Sequence, residues 1–208
     1  MGDLPAREID RAVEALRHGG IVVYPTETLY GLGAEADCDT ALERLGALKG
    51  RDRGKPVSVL VASRTMLETL VASIPDVAER LMEGFWPGAL TIAFRARAGL
   101  SPVLTGGGAT IAARVSSHPV ARSLVEGLAK PITATSANPG GSPPPTEAAV
   151  ARTYFRAAVD VYLEAGPTPG GPASSVVDCS GEDLRLVREG AVSVARIEAV
   201  ARVRLRRR

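Results

Sequence analysis

Apolar positions along this sequence follow two different periods, and the two kinds of segment alternate. Within residues 5–18, Ile9, Val13 and Leu16 lie on one stripe of a helix that Gly19-Gly20 would end. The run IVVYP at 21–25 is short and continuously apolar, which is typical of a buried strand. The same patterns predict helices at 40–49, 63–70, 118–129 and 193–203, with short ones after 75 and after 145. They predict further strands at 56–62, 89–96, 109–115, 131–136, 159–163, 175–179 and 184–188.

Strands interleaved with helices indicate an α/β layered domain. The strands at 89–96 and 109–115 have no helix between them, and neither do those at 175–179 and 184–188. Each pair is therefore expected to run antiparallel within a mixed sheet. We predict a single α/β domain over residues 1–208, with a twisted, open, mixed sheet and flanking helices.

Composition excludes some functional classes. The 208 residues are 45% hydrophobic and 23% charged, as in ordinary globular proteins. No apolar run reaches the roughly 18 residues that span a membrane, so we expect no membrane segment. Two cysteines and two histidines show no metal-binding spacing, and we expect no metal held by the protein. The polar N-terminus is unlike a secretory signal, and we expect a cytoplasmic protein with reduced thiols.

Positive charge is concentrated at the end of the chain. Residues 202–208, RVRLRRR, carry five arginines, and removing these five charges from the net charge of +2 leaves −3 for the rest. This basic tail could contact nucleic acid, but a frayed, solvated terminus explains it as well. We expect it to be exposed and dispensable for chemistry.

A second basic stretch, KGRDRGK at 49–55, joins a predicted helix to a predicted strand. The chain has only three lysines, and Lys49 and Lys55 are two of them. Arginine presents a planar fork to phosphate oxygens, whereas lysine is a mobile point charge. Phosphoryl or adenylyl transfer uses both kinds of cation. A solvated charged loop is the alternative interpretation of this stretch alone.

Two other loops carry polar side chains beside predicted strands. TATSANPGG at 133–141 contains Asn138, the only asparagine in a chain without glutamine, two residues after Ser136. YPTETLYGLG at 24–33 is expected to lead from a strand into a helix, and it matches neither GxGxxG nor a P-loop. Ligands of open α/β sheets bind at the carboxyl ends of strands, so both loops are candidates for a ligand site.

Four segments together resemble the YrdC family in order and spacing: YPTETLYGLG, KGRDRGKP, TIAARVSSHP and TSANPGG. The resemblance extends over about residues 10–192, the expected YrdC-like core, and is to the short stand-alone members without an additional C-terminal domain. The family's Lys-x-Arg and Ser-x-Asn pairs correspond to Lys49/Arg51 and Ser136/Asn138. The resemblance implies that these four residues are catalytic.

Further site residues are implied by the same resemblance. Positions that contact ATP correspond to Arg51, Lys55, Thr110, Ser136 and Arg188. Positions that line a threonine pocket correspond to Thr28, Arg114, Ala134 and Ser174. Arg114 would bind the amino-acid carboxylate through paired hydrogen bonds, and Thr28 would help to select a hydroxylated side chain. The chain departs from the family's usual residues at Asp52, Leu60, Pro144 and Ala173.

The resemblance implies an enzyme that makes L-threonylcarbamoyl-AMP and pyrophosphate from L-threonine, bicarbonate or CO2, and ATP. Mg2+ would accompany the ATP phosphates, and the product would pass to a threonylcarbamoyl transferase that modifies adenosine in tRNA. Weak direct contact with tRNA is an accessory expectation.

Two alternatives stay open at this point. The first is a non-catalytic RNA-binding protein of the same family, which the charge of −3 outside the tail disfavours. The second is a carbamoyl-transfer module related to hydrogenase maturation. That module accompanies acylphosphatase and zinc-binding regions, which 208 residues with two cysteines do not accommodate.

Overall fold

Helices and strands are interspersed along the chain in the structure, a computed structural model that describes residues 4–50 and 54–207. The α-helices in these residues are α1 (Ala6–Arg17), α2 (Asp39–Lys49), α3 (Arg64–Glu68), α4 (Asp76–Phe85), α5 (Pro102–Thr105), α6 (Pro119–Leu128), α7 (Ala148–Phe155) and α8 (Val194–Ala201). The strands are β1 (Val22–Pro25), β2 (Tyr30–Gly33), β3 (Val59–Leu60), β4 (Leu90–Arg95), β5 (Thr110–Arg114), β6 (Ile132–Thr133), β7 (Thr135–Ser136), β8 (Val161–Tyr162), β9 (Ser175–Asp178), β10 (Arg185–Arg188) and β11 (Arg206–Arg207). Among the helices described, none combines the length and apolar character that a membrane-spanning segment requires.

The predicted open, mixed sheet is divided into two sheets. The smaller has the strand order β7-β2-β1-β8, and the larger has the order β11-β10-β9-β4-β5-β3-β6. Both are mixed: β1 pairs antiparallel with β2 and parallel with β8, while β4 pairs antiparallel with β5 and parallel with β9. β9 and β10 are also antiparallel, so both predicted antiparallel pairs are confirmed.

The chain passes from one sheet to the other at Ala134. β6 pairs with β3 in the larger sheet, and β7 pairs with β2 in the smaller one. The Ala134 N–H donates to the Ser58 carbonyl at 2.7 Å, and Ser58 Oγ donates to the Ala134 carbonyl at 2.8 Å. Both backbone groups of the crossing residue are thus satisfied, and Ser136 at the end of β7 is placed beside the β1–β2 hairpin.

Helices cover the sheets through the apolar faces that the sequence pattern predicted. α1 buries Val13 and Leu16 in a cluster that also contains Leu124 of α6 and Val161 of β8. A larger cluster joins residues of both sheets to α2, α4, α7 and α8. Burial of these apolar side chains supplies the main stabilisation of the layers.

The sequence pattern did not predict β2, which Tyr30–Gly33 forms before the predicted helix at 40–49, observed as α2. The fully buried Tyr24 ring of β1 lies over this strand, and a Cβ on Gly31 or Gly33 would come within 2.9 or 2.8 Å of it. The glycines therefore permit close packing across a hairpin. Local periodicity could not reveal this reason, because the ring comes from the neighbouring strand.

The expectation of a frayed terminus is also wrong as far as Arg207. β11 pairs parallel with β10, and the guanidinium of Arg206 lies 3.0 Å from the Asp183 carboxylate. Arg202, Val203 and Arg204 are exposed, as expected for the tail. Part of the tail, Arg206–Arg207, is therefore an edge strand of the larger sheet.

Candidate active site

The ends of several strands in the larger sheet meet at one edge. β4 and β9 run parallel, with Thr91 opposite Val176. β5 runs antiparallel to β4 and ends at Arg114, just beyond the pairing of Ala113 with Ile92. β10 ends at Arg188, which is also opposite Val176. Antiparallel pairing thus brings residues that are distant in sequence to the same end of the sheet.

A cleft of about 500 Å³ is formed by this edge, the β1–β2 loop and the crossing between the sheets. Seven predicted site residues line it: Thr28, Lys55, Arg114, Ala134, Ser136, Ser174 and Arg188. Two of the positions that depart from the family pattern, Pro144 and Ala173, also line it. Among the described lining residues the charged ones are Lys55, Arg114 and Arg188, and none is acidic. The cleft is therefore suited to an anion.

Arg114 belongs to a buried network that the sequence did not reveal. Its Nη1 donates to one carboxylate oxygen of Glu27, and Ser116 Oγ donates to the other. The side chains of Arg114 and Glu27 are only 7% and 16% exposed. Burial lowers the pKa of Arg114 to about 10, with Tyr24 acting in the opposite direction and the charge of Arg188 in the same direction. Glu27 is the one acid of YPTETLYGLG, which was the only signal available in the sequence.

Thr26 shapes the turn that presents Thr28 to the cleft. Its Oγ1 accepts from the N–H groups of Thr28 at 3.3 Å and Leu29 at 3.2 Å, and donates to the Leu29 carbonyl at 2.6 Å. The Gly170 N–H donates to the Thr28 carbonyl at 3.0 Å. Such side-chain to backbone bonds are the usual means by which threonine fixes a tight turn.

Arg188 and Ser174 form a second network on the wall of the cleft. Arg188 donates from Nε and Nη2 to the Ser174 carbonyl at 3.2 and 2.8 Å, and Nη2 lies 3.3 Å from Ser174 Oγ. The Ser174 and Thr91 hydroxyl oxygens are 2.9 Å apart. Partial desolvation against the cleft wall lowers the pKa of Arg188, although the residue remains exposed to solvent. A residue predicted to contact ATP is therefore hydrogen-bonded to one predicted to line the threonine pocket.

Lys49 and Asn138 lie outside the cleft lining and are buried. Lys49 Nζ donates to the carbonyls of Ser136 at 2.7 Å and Asn138 at 2.5 Å, and the Gly140 N–H donates to the Lys49 carbonyl at 2.8 Å. The Asn138 amide donates to Pro139 and Ser142 carbonyls, while its Oδ1 is buried without a hydrogen-bond partner in the described residues. Both side chains act on the backbone of the loop that follows Ser136.

The remaining predicted positions are not part of the described cleft. Thr110 begins β5 and shares a strand face with Arg114, four residues further along, but does not line the cleft. Leu60, opposite Arg114 in the β3–β5 pair, is buried in a core cluster and does not line the cleft. Arg51 and Asp52 lie outside the described residues. In the described part of the chain, no group of three or more His, Cys, Asp or Glu side chains could hold a metal ion.

Comparisons with known proteins give a consistent result. The family model Sua5_yciO_yrdC, described as telomere recombination, matches residues 14–190. A Mycobacterium tuberculosis protein is 42% identical over 195 residues, which cover 94% of this chain and 89% of that protein. The threonylcarbamoyl-AMP synthase of Chromohalobacter salexigens is 38% identical over 183 residues, 86% of this chain and 97% of that enzyme.

A solved structure extends the likeness to three dimensions. The crystal structure of Pyrococcus abyssi Sua5 complexed with L-threonine has a TM-score of 0.93 and 36% identity to this chain. The match covers 98% of this chain and 60% of the P. abyssi chain. With the family model matched over most of its length and close relatives aligned almost end to end, this chain belongs to the Sua5/YciO/YrdC family.

Proposed function

We propose that this protein condenses L-threonine, bicarbonate or CO2, and ATP into L-threonylcarbamoyl-AMP and pyrophosphate. The observation that supports this most directly is the composition of the cleft. Among the described residues that line the cleft, every charged side chain is a cation. These cations lie beside the hydroxyl and carbonyl groups of the predicted threonine pocket. Relatives aligned over most of their length are threonylcarbamoyl-AMP synthases, and a structural relative binds L-threonine. These findings favour the synthase over RNA binding alone and over a hydrogenase-maturation module.

The proposed reaction has two bond-forming steps. The threonine amine attacks CO2, forming an N–C bond and losing a proton, which gives a carbamate. A carbamate oxygen then attacks the α-phosphorus of ATP, and the bond to the bridging oxygen breaks as pyrophosphate leaves with the electron pair. Such displacement needs positioning and charge stabilisation more than a protein nucleophile.

The cations of the cleft divide between two substrates in this proposal. Arg114 binds the threonine carboxylate while Glu27 and Ser116 fix the orientation of its guanidinium. Lys55 and Arg188 compensate charge on the triphosphate and on the departing pyrophosphate. Arg51, which lies outside the described residues, is proposed to bind phosphate oxygens of ATP through its planar guanidinium.

Lys49 and Asn138 are proposed to support catalysis through the backbone. The Lys49 ammonium binds the Ser136 and Asn138 carbonyls, so it holds the loop that presents Ser136 to ATP. Thr110 is proposed to contact ATP from the far end of β5. None of these roles requires a group to move a proton.

Mg2+ is proposed to enter with ATP. The described lining of the cleft offers hydroxyls and carbonyls but no carboxylate, so the phosphates and water would supply most ligands. The adenylate would be consumed by a transferase that modifies adenosine in tRNA.

Substrate-dependent release of pyrophosphate tests the proposed function. Release should require both L-threonine and bicarbonate, and L-serine should be a poorer substrate by roughly 10- to 200-fold because it lacks a methyl group. Arg114→Met should abolish threonine-dependent release at moderate threonine concentrations, while Arg122→Met, on an exposed helix face, should behave as the wild type. Equal release with and without threonine would contradict the proposal.

A further inference from the structure

A second cavity, of about 530 Å³, lies outside the cleft between α1, α7 and β8. Arg11, Arg152, Arg156, Asp160 and Tyr162 contribute its polar lining, and we call it the arginine cavity. The arginine cavity lies at the start of β8. Strand β1 runs parallel to β8, and the cleft lies at the opposite end of this pair, where β1 ends. The two cavities are therefore at opposite ends of the β1–β8 pair, and the proposed reaction has no use for the second one.

Two charges of the arginine cavity are already compensated. The Asp160 carboxylate accepts from the Ile21 N–H at 2.7 Å and from Arg44 at 3.1 Å. Arg152 donates to the Glu164 carboxylate at 2.7 Å, and its guanidinium lies 4.2 Å from the centre of the Tyr162 ring. These contacts do not cancel the rest of the positive charge of the cavity.

Arg11 and Arg156 differ from Arg152 and Asp160 because their charges are not compensated by any described residue. Within the described residues, neither guanidinium has a hydrogen bond or ion pair. Both side chains are exposed, and they project from different elements, α1 and the turn after α7. Two uncompensated guanidinium groups beside a third, stacked one give this cavity a net positive charge.

Arg156 also occupies an unusual backbone conformation. It ends α7 with φ 48° and ψ −124°, a region that glycine adopts far more easily than arginine. Its carbonyl accepts from the Tyr162 hydroxyl at 2.7 Å, which fixes the turn. Backbone strain of this kind is frequently found where a side chain is held for a ligand.

We propose that the arginine cavity binds a phosphate group. Guanidinium groups match phosphate oxygens with paired, charge-assisted hydrogen bonds, and several of them suit a multiply charged tetrahedral anion better than chloride or a carboxylate. The phosphate can belong to a free anion, such as inorganic phosphate or pyrophosphate, or to the backbone of RNA. Both share the chemistry that the cavity recognises.

Titration of the ¹⁵N-labelled full-length protein tests this proposal site by site. Inorganic phosphate, replacing chloride at constant ionic strength, should shift the amide signals of residues 156–162 in a saturable way. Arg156→Gly should weaken this binding about tenfold or more, because a hydrogen-bonded charge pair is lost. Glycine relieves the strained φ, so this variant should fold at least as well as the wild type. Arg11→Ala should weaken binding similarly.

A matched control and two further ligands complete the experiment. Arg7→Ala removes an exposed charge from α1 outside the cavity and should change the affinity less than about twofold. Titrations with pyrophosphate and with a short single-stranded oligoribonucleotide distinguish a free anion from RNA as the source of the phosphate. The ligand that shifts the amide signals of residues 156–162 at the lower concentration is the preferred one. Threonine-dependent release of pyrophosphate should be unchanged in Arg156→Gly. Absence of saturable shifts, or equal weakening by Arg7→Ala, would overturn the proposal.

Discussion

Glu27 is the residue whose role depends most on its surroundings. It pairs with Arg114 in a site where both side chains are largely buried, so removing one charge leaves the other without compensation. Glu27→Gln should lower the free energy of unfolding by about 3–5 kcal/mol, the range seen for broken buried ion pairs. Chemical denaturation at neutral pH measures this difference.

The double variant Glu27→Gln with Arg114→Met provides the internal check on this prediction. Because it removes the buried charge that the single variant leaves unpaired, it should recover a large part of the lost stability. Glu126→Gln, which breaks an exposed pair with Arg122, should cost less than about 1 kcal/mol. If Glu27→Gln were as stable as the wild type, the pair would not be the organising contact of the site.

At the scale of elements, β11 makes part of the basic tail a strand of the larger sheet. Its backbone pairs with β10, the Arg206 N–H donates to the Leu184 carbonyl at 2.9 Å, and the Leu205 N–H donates to the Glu198 carboxylate at 2.9 Å. Deleting residues 203–208 should therefore lower the free energy of unfolding by about 1–3 kcal/mol, at roughly 0.5–1.5 kcal/mol for each hydrogen bond. Thermal or chemical denaturation measures this loss.

Catalysis should respond much less to the same deletion. None of the described cleft-lining residues belongs to the tail, so turnover per folded molecule should stay within about twofold of the wild type. A variant with Arg204→Ala and Arg206→Ala keeps the backbone of β11 and separates strand pairing from charge. A large loss of turnover in a well-folded deletion variant would show that the tail supports Arg188 through β10.

For the whole molecule, His118 links stability to pH. It is buried, burial lowers its pKa below 6.5, and its Nδ1 accepts the Val120 N–H as the N-cap of α6. The unfolded chain then binds more protons than the folded one, so this contribution is complete above the unfolded pKa of about 6.5 and is lost as the pH falls below it. The free energy of unfolding should decrease between about pH 7 and pH 5.5.

The chain has a matched control for this pH dependence in its other histidine. His118→Asn keeps an N-cap acceptor and removes the titrating group, so it should flatten the pH profile. His18→Asn, at an exposed helix end, is the matched control for the substitution itself. A slope that survives His118→Asn would assign the effect to other groups.

Local pattern was sufficient for much of the fold because periodicity reports which side of an element is buried. The helix at 5–18, with its stripe of Val13 and Leu16, formed as α1, and the strands at 89–96 and 109–115 paired antiparallel as predicted. The charged loop and the TSAN segment were also visible, since lysine and asparagine are rare in this composition, and the loop at 24–33 was visible because its polar residues follow a predicted strand. Of these segments, the described residues Thr28, Lys55 and Ser136 line one cleft.

Only the tertiary structure determines which polar groups are hydrogen-bond partners, because partners that are distant in sequence leave no local pattern. Lys49 was expected at a phosphate but binds two carbonyls about 90 residues away, at separations of 87 and 89. Glu27 and Arg114 compensate each other across 87 residues. The division into two sheets at Ala134 likewise depends on pairing with β2 and β3, and strand pairing is a property of neighbours that a single strand does not encode.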